Sequence, residues 1–278
     1  MEKVALSVIL TVYNSNPYLK DCINSILNQT FKDFEFIIVD DGSFDCAKEI
    51  LEEFQKKDSR IVLFKAPHKG AASSRNFGIK KAKGEYLLVL DSDDFFEKEM
   101  FSKMLKKAKE KDLDIVVSNS KKINEKTKKI SRSHSFNPQK INSAFDFKGW
   151  AWDKMFKRDF ILKNDLKFQP LRSSNDLFFS YMALLLAKKI EVLENEFILH
   201  RENLKNSLSS TRDLSPFCFL KAIRKLYFEL KKRNLYEEHE KEFLNWAKNF
   251  SNWHIKTLKN FKNKIKAKKL ADRFFLKI

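Results

Sequence analysis

The chain has 278 residues, 43% hydrophobic and 33% charged, enough to bury a sizeable core and too few continuous apolar residues to read as a membrane span. Its three cysteines, at 22, 46 and 218, have no metal-ligand spacing and leave an odd one, which speaks against a disulfide scaffold and for a reducing compartment. The net charge of +18 is uneven: the first hundred residues carry −3 and the remainder +21.

Taken in order, Ala5 to Thr11 reads as a β-branched apolar strand, and the cluster Tyr13 to Pro17 opens a helix over about Tyr18–Asn28. A second strand, Phe34 to Val39, runs into Asp40-Asp41-Gly42-Ser43 and is followed by an amphipathic helix through Ile50, Leu51 and Phe54. A third strand (Ile61–Phe64), a third helix (Ser73–Ala82) and a fourth strand (Glu85–Leu90) complete an alternation that predicts βαβ units and a mostly parallel, buried sheet flanked by helices. The fourth strand ends in Asp91-Ser92-Asp93-Asp94. Four aliphatic residues demand burial while three carboxylates demand water or a cation, so the acids belong at the carboxyl edge of the sheet, where ligands of open α/β folds collect. Clustered oxygen ligands suit Mn²⁺ or Mg²⁺, which can carry a diphosphate. The five glycines, at 42, 70, 78, 84 and 149, match neither the dinucleotide fingerprint nor a P-loop, so no glycine loop cradles phosphate.

Beyond residue 100, a helix through Met104, Leu105 and Ala108 leads to a strand over 114–118, and the lysine-rich stretch 121–135 reads as a hairpin or mobile loop. Ser173-Ser174-Asn175 is a capping cluster ahead of an apolar helix through Phe179, Met182 and Leu186. Asp176 at its start is either a first-turn acid stabilised by the helix dipole or a carboxylate projecting into a cleft. His200 lies on a strand-like run, 197–201, where it is a structural histidine or a further metal ligand. From about 215 the pattern is helical, through Phe219, Ile223, Leu226 and Leu230 and then Phe243, Trp246, Phe250 and Trp253. The lysine-rich segment 256–269, ending in Phe274, Phe275 and Ile278, reads as a solvated helix or as a basic amphipathic tail on an anionic membrane surface.

Five ordered motifs make one resemblance specific. Ser7–Asn14, Ser25–Phe31, Ile38–Ser43, Ala72–Ile79 and the Asp91 cluster follow one another as in family 2 glycosyltransferases of the GT-A fold. The resemblance implies an inverting, metal-dependent transfer of a sugar from a nucleotide-sugar, usually UDP-linked, to an acceptor hydroxyl. It implies that Thr11, Tyr13 and Asp41 line the nucleoside pocket, that Arg75 contacts the nucleotide, and that Asp91 and Asp93 address ribose and metal. Trp150, Trp152 and Lys154 resemble the acceptor-side Trp-x-Lys segment, and Asn175-Asp176 the Glu-Asp pair whose aspartate is the catalytic base, with Asn175 in place of the glutamate. The segment Pro67-His68-Lys69-Gly70 departs from the family's Asn-x-Gly, and Thr11 from a common proline.

The expected organisation is a nucleotide-sugar half (1–120), an acceptor-side half (121–212) and a basic helical region (213–278). The expected partners are a nucleotide-sugar donor, a saccharide or lipid-linked saccharide acceptor and an anionic membrane surface, with the protein cytoplasmic or peripheral on the inner face of the cell membrane. A sugar nucleotidyltransferase is the competing reading, but Thr11 to Pro17 lacks that class's glycine- and lysine-rich loop. A basic nucleic-acid-binding protein is the other; no recognised binding motif supports it, and nucleic acid is not an expected partner.

Overall fold

The first strand, β1 (Leu6–Val12), is buried along its whole length because it has a strand on each side and helices on both faces. It pairs in parallel with β2 (Phe34–Asp40) and β4 (Tyr86–Asp91), and β3 (Ile61–Lys65) adds to β2. The register sets Thr11 beside Asp91 and Val12 beside Asp40, so the carboxyl ends of three strands meet at one edge. The computed structural model describes residues 4–134, 136, 138–202, 204, 207, 208 and 210–278.

Strand alternation divides the interior into two cores. Val8, Leu10, Ile38, Leu88 and Leu90 face α1 (Asn16–Leu27), α2 (Ala47–Lys57) and, further along, α4 (Met100–Lys111). Ile9, Ile37, Leu87 and Val89 face α3 (Ala71–Lys81), which lies so close that a Cβ on Gly78 would come within 2.5 Å of Ile9 Cγ2.

Past β4 the chain enters β5 (Phe95–Phe96), α4, β6 (Ile115–Asn124), β7 (Ile130–His134), β8 (Lys154–Lys157), α5 (Arg158–Lys163), α6 (Leu177–Leu186) and β9 (Ile190–Glu202). The described strands form one sheet in the order β3-β2-β1-β4-β8-β6-β9-β5, with β7 hairpinned onto β6. The parallel pattern holds through β4; β8 then runs antiparallel to both β4 and β6, and β5 antiparallel to β9. The lysine-rich stretch is the β6–β7 hairpin, apart from Ser135, which lies outside the described residues.

Three long helices, α7 (Cys218–Lys232), α8 (Tyr236–Thr257) and α9 (Phe261–Phe275), cover the core that α3 and α6 also pack on. This corrects one expectation about the tail. Phe274 is buried in that core, Phe275 and Ile278 pack against it, and Tyr227 meets the Phe274 ring edge-on at 5.7 Å, so these residues are not free to enter a bilayer. Helical spacing identified an apolar face but not what covers it. No helix among the described residues is long and apolar enough to cross a membrane.

Candidate active site

At the end of β4, Asp91, Asp93 and Asp94 each present an oxygen within 4.8 Å of the others. Asp94 is fully buried and accepts from His200 Nδ1 at 3.0 Å and the Arg201 amide at 3.0 Å. Asp91 accepts from Arg75 Nη2 at 2.5 Å. Asp93 has no donor from any other described residue, and burial, reinforced by Asp94 and Asp91, pushes its carboxyl up to about 7. Three hard oxygen donors converging on a place that resists further negative charge are the donor set a divalent cation fits. Asp94 belongs to this cluster although the sequence reading singled out only its two neighbours; the acid run contained it, but its tie to His200 spans 106 positions. Burial works against the charge on His200, yet Asp94 raises it to about 9, and the ring's Nδ1 is committed to that carboxylate.

The acids after β2 are used differently. The Asp41 carboxylate is buried and accepts from the Lys69 and Gly70 amides, both at 2.9 Å, and from Ser74 Oγ at 3.0 Å, while His68 Nδ1 meets the Asp41 main-chain carbonyl at 3.1 Å. Asp40 accepts from the Ser43 amide at 2.9 Å, across a turn in which Gly42 takes φ +78°. Asp41 thus holds the turn that starts α3 and aims Arg75. The Tyr13 ring stacks on His68 with centroids 4.0 Å apart, and exposed Phe44 meets it edge-on. These three rings gather just past the end of β1, where the nucleoside was expected, while Thr11 is buried in that strand beside Asp91. The segment that departs from the family pattern is the one that supplies His68.

Arg75 joins the two sides of the site. Besides Asp91 it donates from Nη1 to Asn175 Oδ1 at 2.7 Å, and its guanidinium lies 5.2 Å from the Phe168 ring centroid. Burial disfavours its charge, but Asp91 and Asp176 hold it more firmly protonated than usual. Asn175 occupies the position where a glutamate was the expected pattern, and as a neutral acceptor it leaves the cation shared between Asp91 and Asp176. Asp176 stands at the N-cap of α6 yet makes no capping hydrogen bond. Its carboxyl is pushed up to about 6 by burial, against the pull of Arg75 and with the repulsion of Asp91.

The acceptor-side residues form a stack. Trp150 and Trp152 lie face to face at 4.7 Å, and Trp152 stacks on His200 at 5.0 Å, so the aromatic pair reaches the acid cluster through Asp94. Lys154 is fully buried and spends its ammonium on the Lys148 and Trp150 carbonyls, both at 2.8 Å, and on Asp153 at 2.6 Å. It fastens the loop that carries the tryptophans.

Residues 7–173 match the description "Glycosyl transferase family 2". EpsH of Bacillus subtilis is 33% identical over 74% of this chain and 63% of its own length, so the chain spans about three fifths of that relative. Glycosyltransferase GlyG of Streptococcus pneumoniae is 30% identical over 76% of this chain and 75% of its own. S. aureus TarS superposes with a TM-score of 0.70 at 25% identity, covering 86% of this chain and 42% of TarS. A sheet that carries its acids at the ends of β2 and β4, with relatives of this kind, defines the class: the chain belongs to glycosyl transferase family 2, on the GT-A fold.

Proposed function

We propose that the protein transfers a sugar from a UDP-linked donor to a saccharide hydroxyl, on a surface glycan or lipid-linked saccharide, with inversion at the anomeric carbon. The observation that carries this reading is Arg75, which ties the acid cluster of the donor side to the segment bearing an uncommitted, half-buried carboxylate, Asp176. Support for the donor comes from TarS, whose fragment 1-349 has been solved with UDP-GlcNAc on the same fold. Support for the acceptor class comes from the poly(ribitol-phosphate) beta-glucosyltransferase of Bacillus spizizenii, 34% identical over 67% of this chain and 30% of its own length. The proposed division is a donor half to about residue 120, an acceptor side to 212 and a helical region beyond.

In this reading Tyr13, His68 and Phe44 hold the nucleobase, and Asp91 and Asp93, backed by Asp94, would hold a Mn²⁺ or Mg²⁺ ion that neutralises the diphosphate. Asp176 accepts the proton of the acceptor hydroxyl as its oxygen bonds to the anomeric carbon from the face opposite the leaving UDP. Arg75 keeps Asp176 ionised near neutrality. Trp150, backed on one face by buried Trp152, is the platform for an acceptor sugar, and the inner face of the cell membrane is the place of action. Release of UDP from a panel of UDP-sugars, with and without Mn²⁺, tests the proposal. Metal-dependent release with a transferred sugar supports it, whereas pyrophosphate formed from UTP and a sugar 1-phosphate would replace it with nucleotidyl transfer.

A further inference from the structure

The region 243–271 contains eight lysines and no Asp or Glu. A charge run of this kind is ordinarily a solvated face, so something more is needed to make it a surface with a partner. The structure supplies it at the corner where α8 turns into α9. A short 3-10 turn, Arg212–Leu214, is latched onto that corner: the Asp213 carboxylate accepts from the Lys259 amide at 2.7 Å, the Asn260 amide at 3.1 Å and Asn263 Nδ2 at 3.3 Å. Three large apolar side chains next to these contacts stand in solvent, Leu214 at 71% exposure, Phe261 at 74% and Trp253 at 49%. The Arg212 guanidinium lies 4.6 Å from the Trp253 ring centroid. Lys256, Lys259, Lys262 and Lys266 are exposed around them, and the corner's acid, Asp213, is consumed by the latch.

Exposed aromatic and aliphatic tips set among cations, with no acid left to repel a negative surface, are the composition of an interfacial membrane contact. The corner is also tied to the acceptor side. Arg172 donates to the Thr211 carbonyl at 3.3 Å and to Thr211 Oγ1 at 3.0 Å, and Ser173 Oγ meets Ser215 Oγ at 2.8 Å, three residues before Asp176. We infer that the α8–α9 corner, with Leu214, Trp253 and Phe261 as its apolar tips, docks on an anionic phospholipid bilayer and brings the Asp176 side of the cleft to that surface. This deepens the proposed function and rests on it for its purpose: a lipid-linked acceptor is met where it is anchored.

The test is co-sedimentation of the full chain with vesicles of phosphatidylcholine alone or mixed with phosphatidylglycerol. Binding is expected to the mixed vesicles only, stronger at low salt. Replacing Lys256, Lys259 and Lys262 by Ala should weaken partitioning about fivefold each, the worth of one basic residue near a charged surface. The double variant Leu214→Ser, Phe261→Ser, which alters only exposed side chains, should remove the part of binding that survives high salt. Equal sedimentation with both vesicle types, none with either, or indifference to both sets of substitutions would overturn the inference. So would polyanion binding, to RNA for instance, that depends on the lysines, ignores Leu214 and Phe261, and has no vesicle counterpart. Affinity for nucleotide-sugar in solution is independent of this corner. A failure to sediment therefore counts against docking alone, and a failure to bind any nucleotide-sugar against the catalytic reading alone.

Discussion

Two acid runs sit at the same edge of the sheet, one on each side of β1, and they look alike in sequence: Val39-Asp40-Asp41-Gly42-Ser43 and Leu90-Asp91-Ser92-Asp93-Asp94. Their hydrogen bonds set them apart. The Asp41 carboxylate is held by three donors from the 69–74 segment, whereas Asp93 receives none from any other described residue and carries a carboxyl pushed up to about 7 by burial and its two acidic neighbours. A strand running into acids marks where a ligand can sit. Whether an acid binds the ligand or builds the wall depends on what the fold has already given it to hold. By that criterion Asp93 and Asp176 are free for chemistry, and Asp41 is structural first.

The sharpest way to break this distinction is through Asp176, where the largest effect is expected. Asp176→Asn should lower kcat by about 10²–10⁴-fold, the usual range for a lost general base, and leave donor affinity nearly unchanged. A near-normal kcat would make the residue a helix-start acid with no part in the reaction. The pH profile adds a sign. The ionised carboxylate is the active form, and its carboxyl is pushed up to about 6, so kcat should fall as pH drops through that value and level off above it. A profile flat from neutrality down to pH values well below that would remove Asp176 as the titrating group.

A smaller loss, at least the roughly 10-fold that removing a mere supporting residue of a metal site costs, is expected in metal-dependent UDP affinity for Asp93→Asn, read by titration calorimetry with and without Mn²⁺. Stability should stay level or rise. A carboxyl raised from 3.8 to about 7 in the folded state burdens the fold when ionised above that pH and not below the ordinary range, and the amide removes the burden. Unchanged nucleotide affinity in this variant would sink the cluster's assignment to the donor site.

How much of this was readable beforehand follows from the range over which each feature is determined. The strands β1, β2 and β4, and the acidic ends of β2 and β4, were legible because burial on both faces leaves near-continuous apolar runs, and a run's end is a local event. Strand β8, four residues long and antiparallel, was not, because so short a segment carries no usable alternation. The partners of Asp94 and Asp41 were out of reach for another reason. They arrive from 106 and about 28 positions away, and no spacing rule links a carboxylate to a histidine or a turn at those distances. Lys154 was expected to face an acceptor and instead clamps the tryptophan loop, since a motif names a residue but not the carbonyls it will meet. On α9, periodicity found an apolar face, and only the packing of Phe274 showed that this face is core while Phe261 looks outward.

The smallest effect tests the structural side of the comparison. In Asp41→Asn one carboxylate oxygen becomes an NH₂ group that points at a donor: either the Lys69 amide or the Gly70 amide loses its acceptor, while the Ser74 hydroxyl can turn to accept from the NH₂. A backbone amide left without its partner near a buried site costs about 1–3 kcal/mol where desolvation is complete. The expected outcome is a fall in melting temperature of roughly 2–10 °C for a chain of this size, seen without any ligand present. Donor affinity should weaken only as far as the turn before α3 loosens, so that His68 drifts from Tyr13 and Arg75 loses its aim at Asp91 and Asn175. Unchanged melting together with abolished UDP binding would reverse the roles assigned to the two acid runs, making Asp41 a direct nucleotide ligand whose donors in the free protein are readily exchanged for the base.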